Sequence, residues 1–245
     1  MCRHLAYAGP SVSLHDLLWK PEFSLLEQAS APRRQRHGRV NADGYGVGWY
    51  APGRLEPVRY RRNVPMWADS SFASVAAVTM SSCVLAAVRS ATIGTPVDES
   101  CVAPFTWGAL LWSHNGVVAD PVALRKGVSH LLPTDCPDAA APVDSALLFG
   151  LTVAAVQSGE TLPAALATTV RSARRLSGGR FNLLASDGQQ IAATVCGDTL
   201  YVRSRAADLV IASEPFDDAA DWEPLPDESI VTGTTGHLDV RPFVN

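Results

Sequence analysis

The order of patterns along this chain restricts its fold more than any single motif does. Two helical patterns, Asp144 to Gln157 and Leu162 to Leu176, lie between stretches that read as strand on both sides. Ahead of them, Cys2 to Tyr7 reads as a short strand ended by Gly9-Pro10, and Leu55 to Arg61 as the return strand of a hairpin. Val84 to Val88 and Gly108 to Ser113 read as strongly apolar strands. Helices are expected over Asp69 to Val78, capped at Asp69 or Ser70, and from Asp120-Pro121 to about Leu132. Gly178-Gly179 stops the second long helix. Behind it come strand patterns at Phe181 to Ser186, Gln190 to Cys196, Thr199 to Arg203, Leu209 to Ser213 and Ser229 to Val231, with turns at Asp187-Gly188 and Gly197-Asp198. A doubly wound parallel sheet needs strand and helix to alternate throughout. This order predicts an α+β protein instead, and no linker is rich enough in Pro, Gly or Ser to split residues 1–245 into more than one domain.

Two segments stand out within that order. A basic loop, Ala31-Pro32-Arg33-Arg34-Gln35-Arg36-His37-Gly38-Arg39, leads into Asn41 to Tyr50, where glycines alternate with apolar residues. Glycine inside a strand pattern marks a bulge or a close approach of another backbone. The arginine run is short and has no basic neighbours, so it reads as a solvated or substrate-facing loop.

Composition narrows the function classes. Apolar residues make up 47% of the 245 and charged residues 18%, as expected for a chain with a packed core. With 20 basic against 24 acidic residues the formal net charge is −4, and there is no overall positive field to draw in a phosphate backbone; no nucleic-acid partner is expected. The longest apolar segment, Ala146 to Val156, is interrupted by Gly150 and Thr152 and is too short for a bilayer, which takes about 20 residues. No apolar leader follows Met1. No membrane partner and a cytoplasmic location are therefore expected. The five cysteines, Cys2, Cys83, Cys101, Cys136 and Cys196, form no disulfide framework and no Cys-x-x-Cys pair. Neither they nor the six histidines have metal-ligand spacing, so no metal or other cofactor is called for.

Four features could carry chemistry. Cys2 follows the initiator methionine, and trimming would leave a thiol and a free α-amine on one residue. An α-amine with a pKa near 7.7–8.0 is a usable base beside a nucleophile. Against this stands the ordinary reading of a small buried apolar residue in an N-terminal strand. Ser113-His114-Asn115-Gly116 ends an apolar strand, and an Asn side chain with a following Gly N–H can supply two oxyanion donors; an ordinary Asn-Gly turn is the alternative. Ser113 and His114 do not form a catalytic pair, since adjacent strand residues point to opposite faces. Arg89, ending a buried strand, suits a bidentate carboxylate clamp or a structural ion pair. Asp144 opens a helix, as an N-cap or as a carboxylate for a substrate ammonium.

In this order the four features resemble the glutamine amidotransferases of the N-terminal nucleophile hydrolase type. The resemblance implies a four-layer α/β/β/α sandwich and attack of the Cys2 thiol on a γ-glutamyl amide. It also implies an oxyanion hole at Asn115 and Gly116, a clamp on the glutamyl α-carboxylate in the Arg-x-x-Thr segment Arg89 to Thr92, and Asp144 on the α-amine. Asp43 and Gly44 are then a loop closing over the glutamate. Ile93 departs from the pattern, where many members carry histidine.

Met-Cys-Arg-His-Leu at the start, the run from Ala31 to Tyr50, and Ser213-Glu214-Pro215-Phe216-Asp217-Asp218 are similar to the γ-glutamyl hydrolases of ergothioneine biosynthesis. That branch hydrolyses γ-glutamyl-hercynylcysteine sulfoxide, a small-molecule substrate. Its leaving half has a trimethylammonium group, for which Trp67, Trp107, Trp112 and Tyr45 are candidate contacts, and a carboxylate, for which Arg34 or Arg36 is available. Two alternatives stay open: a stand-alone glutaminase passing ammonia to a separate synthase, and a γ-glutamyl-binding protein without activity.

Overall fold

Why two sheets form, and how they stack, follows from where the apolar faces of the strands lie. The computed structural model describes residues 2–243. The first sheet has seven strands: β1 (Arg3–Ser13), β2 (Tyr45–Trp49), β3 (Val58–Arg62), β4 (Met80–Val88), β9 (Tyr201–Ser204), β10 (Leu209–Ala212) and β11 (Glu223–Pro224). They run in the order β11-β9-β10-β1-β4-β2-β3. The second has six: β5 (Phe105–Trp107), β6 (Leu110–Val118), β7 (Gly179–Ser186), β8 (Ile191–Val195), β12 (Ser229–Thr234) and β13 (His237–Pro242), in the order β13-β12-β8-β7-β6-β5. Every pairing is antiparallel.

Three apolar cores make four layers. Helices α1 (Leu14–Leu18), α2 (Leu25–Ser30) and α3 (Ser70–Val78) cover one face of the first sheet, with Leu18, Leu25 and Phe72 packed on Leu5, Tyr45 and Val88. Between the sheets lie Ala6, Leu85 and Ile211 against Leu111, Leu184 and Ala193. On the far side, α4 (Pro121–Val128), α5 (Asp144–Gln157) and α6 (Leu162–Leu176) pack on the second sheet through Leu124, Phe149 and Val170 against Trp112, Phe181 and Leu183. Period-2 alternation sends neighbouring strand residues to different cores, as with Leu5 and Ala6. The α+β expectation and the sandwich agree with this arrangement. Among the described residues, no helix is long and apolar enough to cross a membrane.

Local sequence explains most boundaries. Asp69 caps α3 by accepting from the Phe72 N–H, and Asp120 caps α4 ahead of Pro121. The alternating glycines of β2 have a packing reason: a Cβ on Gly46 would strike the Ala103 carbonyl, and one on Gly48 the Leu111 side chain.

Several expected boundaries shift: the helix opened by Asp120-Pro121 ends at Val128 and the return strand is Val58–Arg62, and two further shifts bear on the site. The first strand does not end at Gly9-Pro10 but continues to Ser13, because a register shift between Ala8 and Val12 accommodates the proline. The apolar strand expected to finish at Ser113 runs on through Asn115-Gly116 to Val118, paired with β7, so this Asn-Gly is ladder and not turn.

Candidate active site

Strand register brings the sequence candidates together. Arg3 pairs with Val88 across β1 and β4, so Cys2 and Arg89, one residue further on each strand, leave the sheet side by side. On the other flank of β4, the Arg89 N–H donates to the Gly44 carbonyl (2.7 Å) and the Asp43 N–H to the Arg89 carbonyl (2.9 Å). The Asp43 carboxylate also accepts from the Ala91 N–H (2.8 Å). Asp43 and Gly44 are thus stapled behind Arg89, and neither lines the cleft that Cys2 faces.

That cleft opens between the ends of the two sheets. Its wall includes Cys2, Arg89, Thr92, Gly116, Asp144 and Ser145. The Cys2 thiol is half-buried, 3.9 Å from the Ser90 carbonyl. The guanidinium of Arg89 is buried and donates to the Asp43 carbonyl (3.4 Å), the Thr95 hydroxyl (3.2 Å) and the Pro96 carbonyl (3.1 Å). All three are neutral acceptors. Among the described residues no carboxylate pairs with it, which removes the structural ion-pair reading. Thr92 is exposed at the rim, beside a fully exposed Ile93.

Asp144 is the first residue of α5 and not its N-cap, which is Val143. Its buried carboxylate accepts from the Ser145 N–H (2.9 Å) and the Val118 N–H (3.3 Å), beside the positive end of the helix.

The Val118 contact fixes which way the neighbouring amides point. Along a strand, alternate N–H groups face the same side. The Ala119 N–H donates toward the Gly178 carbonyl on the β7 side, and the Val118 N–H faces the opposite edge. The Gly116 N–H therefore shares Val118's edge, where β5 has already ended after pairing only Leu110 to Trp112. Glycine is required here because a Cβ would collide with the Arg180 carbonyl. Asn115 does not line the cleft. Its fully buried amide sends Nδ2 to the Ser213 hydroxyl at a long 3.4 Å, and Oδ1 has no partner.

Below these residues lies a buried polar layer that sequence reasoning missed. Arg3 Nε donates to the Cys2 carbonyl (2.8 Å), and its guanidinium faces Glu214 at 3.7 Å with both side chains fully buried. Glu214 in turn accepts from the backbone N–H groups of Arg33 (2.9 Å) and Arg34 (2.7 Å), fixing the start of the basic loop. His4 lies 3.1 Å from the Ser113 hydroxyl, and burial, with Arg3 and His114 nearby, drives its pKa well below the usual histidine value. Burial lowers the His114 pKa as well, against an opposing pull from Asp144. Its Nε2 lies 3.0 Å from the Arg180 carbonyl, which can only accept, so that nitrogen carries the proton and Nδ1 accepts from Ser145 (2.9 Å). Glu214 falls within a run the sequence had flagged, but nothing in the sequence pairs it with Arg3.

Other expectations resolve plainly. Trp112 and Tyr45 are not available to a ligand: Trp112 is fully buried against α5, and Tyr45 lies in the first-sheet core with its hydroxyl on Asp69. Trp107 packs partly against the α5 core, and Trp67 is exposed. Cys83, Cys101, Cys136 and Cys196 are free and buried, and burial pushes each thiol up, Cys83 and Cys196 to about 11.

Comparison with known proteins agrees with this geometry. Residues 20–220 match the sequence family described as glutamine amidotransferases class-II. The chain is 43% identical over 243 residues to the gamma-glutamyl-hercynylcysteine sulfoxide hydrolase of Mycolicibacterium smegmatis, covering 99% of this chain and 100% of that protein. A glutamine aminotransferase class-II domain protein from Silicibacter pomeroyi superimposes with a TM-score of 0.70 at 24% identity, each chain covered in full. The glutamine phosphoribosylpyrophosphate amidotransferase of B. subtilis superimposes with a TM-score of 0.72 at 12% identity, over 99% of this chain and 49% of that one. The two-sheet sandwich is thus the N-terminal nucleophile hydrolase fold, and the chain belongs to the class II glutamine amidotransferases.

Proposed function

We propose that this protein hydrolyses the γ-glutamyl amide of γ-glutamyl-hercynylcysteine sulfoxide to glutamate and hercynylcysteine sulfoxide. One observation carries the reaction class: a buried arginine without a carboxylate partner among the described residues, Arg89, shares a cleft with the half-buried thiol of Cys2 and the carboxylate of Asp144. A free γ-glutamyl end has a carboxylate for the first and an ammonium for the third. The leaving group comes from the end-to-end similarity to the mycobacterial hydrolase.

In this reading residues 1–245 act as one catalytic domain. Met1, which lies outside the described residues, is removed so that Cys2 gains a free α-amine. The amine takes the thiol proton, directly or through a water, and the thiolate attacks the γ-carbonyl carbon. Gly116 offers its edge N–H to the oxyanion, and Asn115 offers Nδ2, whose present hydrogen bond is long. The amine then protonates the departing cysteine nitrogen as the C–N bond breaks, leaving a γ-glutamyl thioester. Water, deprotonated by the same amine, attacks the thioester carbon, and glutamate leaves with Cys2 restored. Arg89 and Thr92 hold the α-carboxylate, and Asp144 the α-ammonium. Asp43 and Gly44 act by bracing Arg89. The neutral His114 is no base here, since burial opposes its protonation. A thiol nucleophile works only while reduced, which suits the cytoplasm.

The test is turnover of synthetic γ-glutamyl-hercynylcysteine sulfoxide beside free glutamine, with released glutamate read by mass spectrometry. Preference for the conjugate and loss of turnover in Cys2→Ala support the reading. Full activity in Cys2→Ala, or release of ammonia from glutamine with the conjugate untouched, overturns it.

A further inference from the structure

Resting on that reading, we infer that the betaine end of the leaving group is held in a second cleft, against Asp198 and Tyr201 with Arg36 at its mouth. This cleft shares no lining residue with the one around Cys2; Thr199, Leu225 and Asp227 are among its other lining residues. It is nevertheless tied directly to the proposed oxyanion site. Asn182, which faces Asn115 across β6 and β7, donates through Nδ2 to the backbone carbonyls of Asp198 (3.0 Å) and Thr199 (3.2 Å). Arg180, whose carbonyl adjoins Gly116, holds Asp198 Oδ2 through Nε at 3.0 Å. In this proposal a substrate whose scissile carbonyl sits at Gly116, with its glutamyl half toward Arg89, extends its leaving half toward this side.

The chemistry of the lining is what a betaine requires. The Asp198 side chain is 1% exposed, yet its Oδ1 has no hydrogen-bond partner among the described residues. Arg180 on Oδ2 offsets part of the buried charge, but a carboxylate oxygen left without a partner is still costly, and a cation beside Oδ1 lowers that cost. A trimethylammonium group donates no hydrogen bond, so it is recognised by negative charge and by aromatic surface. Asp198 supplies the first and the half-buried Tyr201 the second. Asp227 adds a second carboxylate, anchored by the Gly197 and Glu228 N–H groups. The carboxylate of the betaine meets Arg36, an exposed residue of the loop whose start Glu214 fixes. Tyr201 also lines the adjoining cleft with Arg34, Asp217 and Trp222, so the aromatic wall continues beyond this site.

The deciding measurement is a preference ratio: kcat/KM for the trimethylammonium conjugate over kcat/KM for the same conjugate with a primary amine in its place. The wild type is expected to prefer the trimethylated compound by about tenfold or more, and Asp198→Asn and Tyr201→Leu to bring the ratio to within about threefold of unity. Arg36→Gln is expected to raise KM for both conjugates more than it lowers kcat. Should Asp198→Asn fail to fold, Tyr201→Leu gives the same ratio reading from a half-buried position, and Arg36→Gln tests the carboxylate contact through KM. Asp198→Asn and Tyr201→Leu proteins that keep the wild-type ratio, Arg36→Gln with an unchanged KM for both conjugates, or a wild type that turns over both conjugates equally well, overturn the second cleft as the betaine site. A wild type that hydrolyses neither conjugate overturns the proposed function itself, and the two failures are told apart by the wild type alone.

Discussion

Arg3 and Glu214 face each other across 3.7 Å with neither side chain exposed, at opposite ends of the sequence and directly beneath Cys2. Removing one member of such a pair strands the other charge in a dry interior, typically at about 3–5 kcal/mol. Glu214→Ala is expected to lose stability in that range and also to release the Arg33 and Arg34 amides. Glu214→Gln, which keeps an acceptor for one amide, should lose less. Urea unfolding of the three proteins checks the order, and equal stability of Glu214→Ala and wild type would refute it.

Thiol chemistry should be confined to one residue. Cys2 is half-buried, whereas burial pushes Cys83 and Cys196 up to about 11 and raises Cys101 and Cys136. At pH 8 a thiol with a pKa of about 11 is roughly one part in 10³ thiolate. Brief treatment with a γ-glutamyl electrophile should therefore label Cys2 alone, seen by peptide mass spectrometry together with the state of Met1.

The donors at Asn115 and Gly116 should separate by mechanism. Asn115→Ala is expected to lower kcat by about 10²–10³ with little change in KM, as when one oxyanion donor is lost. Gly116→Ala has a different cause of failure, since its methyl drives β6 away from the Arg180 carbonyl. It should lower thermal stability as well as kcat, which a melting curve distinguishes.

Arg89→Lys keeps the charge and loses the fork. Two of the present donations, to Thr95 and Pro96, come from one terminal nitrogen, and a single ammonium cannot hold them and clamp a carboxylate bidentately. A fall of about 10- to 100-fold in kcat/KM, mostly in KM, is expected from steady-state kinetics. An unchanged KM would mean that Arg89 does not bind the carboxylate.

Acid should destabilise the fold through its buried histidines. Burial holds the His4 pKa well below 6.5 and lowers that of His114. A depressed folded value means the unfolded chain binds protons first. Their contribution is fully present above about pH 6.5 and is lost as pH falls from there toward the folded values. Each histidine adds a slope of up to about 1.4 kcal/mol per pH unit. His4→Gln should flatten the acid limb of a stability–pH curve, whatever its effect at neutral pH.

How much of this was legible in the sequence depended on the range of the interaction. Leu162–Leu176 was readable from its apolar period and glycine stop, and Asp144–Gln157 from an apolar run too long for a strand; both are local signals. Helices α1 and α2, five and six residues long, have too few turns to show a period. Strand β13 was missed because its alternation is short, with only Leu238 and Val240 apolar and neither buried, and β5 because it has only three residues. In the site, Cys2, Arg89, Gly116 and Asp144 were legible because each carries a chemically specific side chain or amide where the sequence reads as a strand or helix end, although for Gly116 the strand runs on to Val118.

The α+β order, the residue types available to the chemistry and the family resemblance are all written in the order of residues along the chain. Which of those residues meet is a property of the folded molecule. Register placed Cys2 beside Arg89, and the end of β5 left the Gly116 amide facing an open edge. Burial set the histidines neutral, and packing brought Arg3 to Glu214. Hydrogen-bond periodicity is written into neighbouring residues, whereas desolvation and charge pairing depend on groups that only the folded chain brings within a few ångströms.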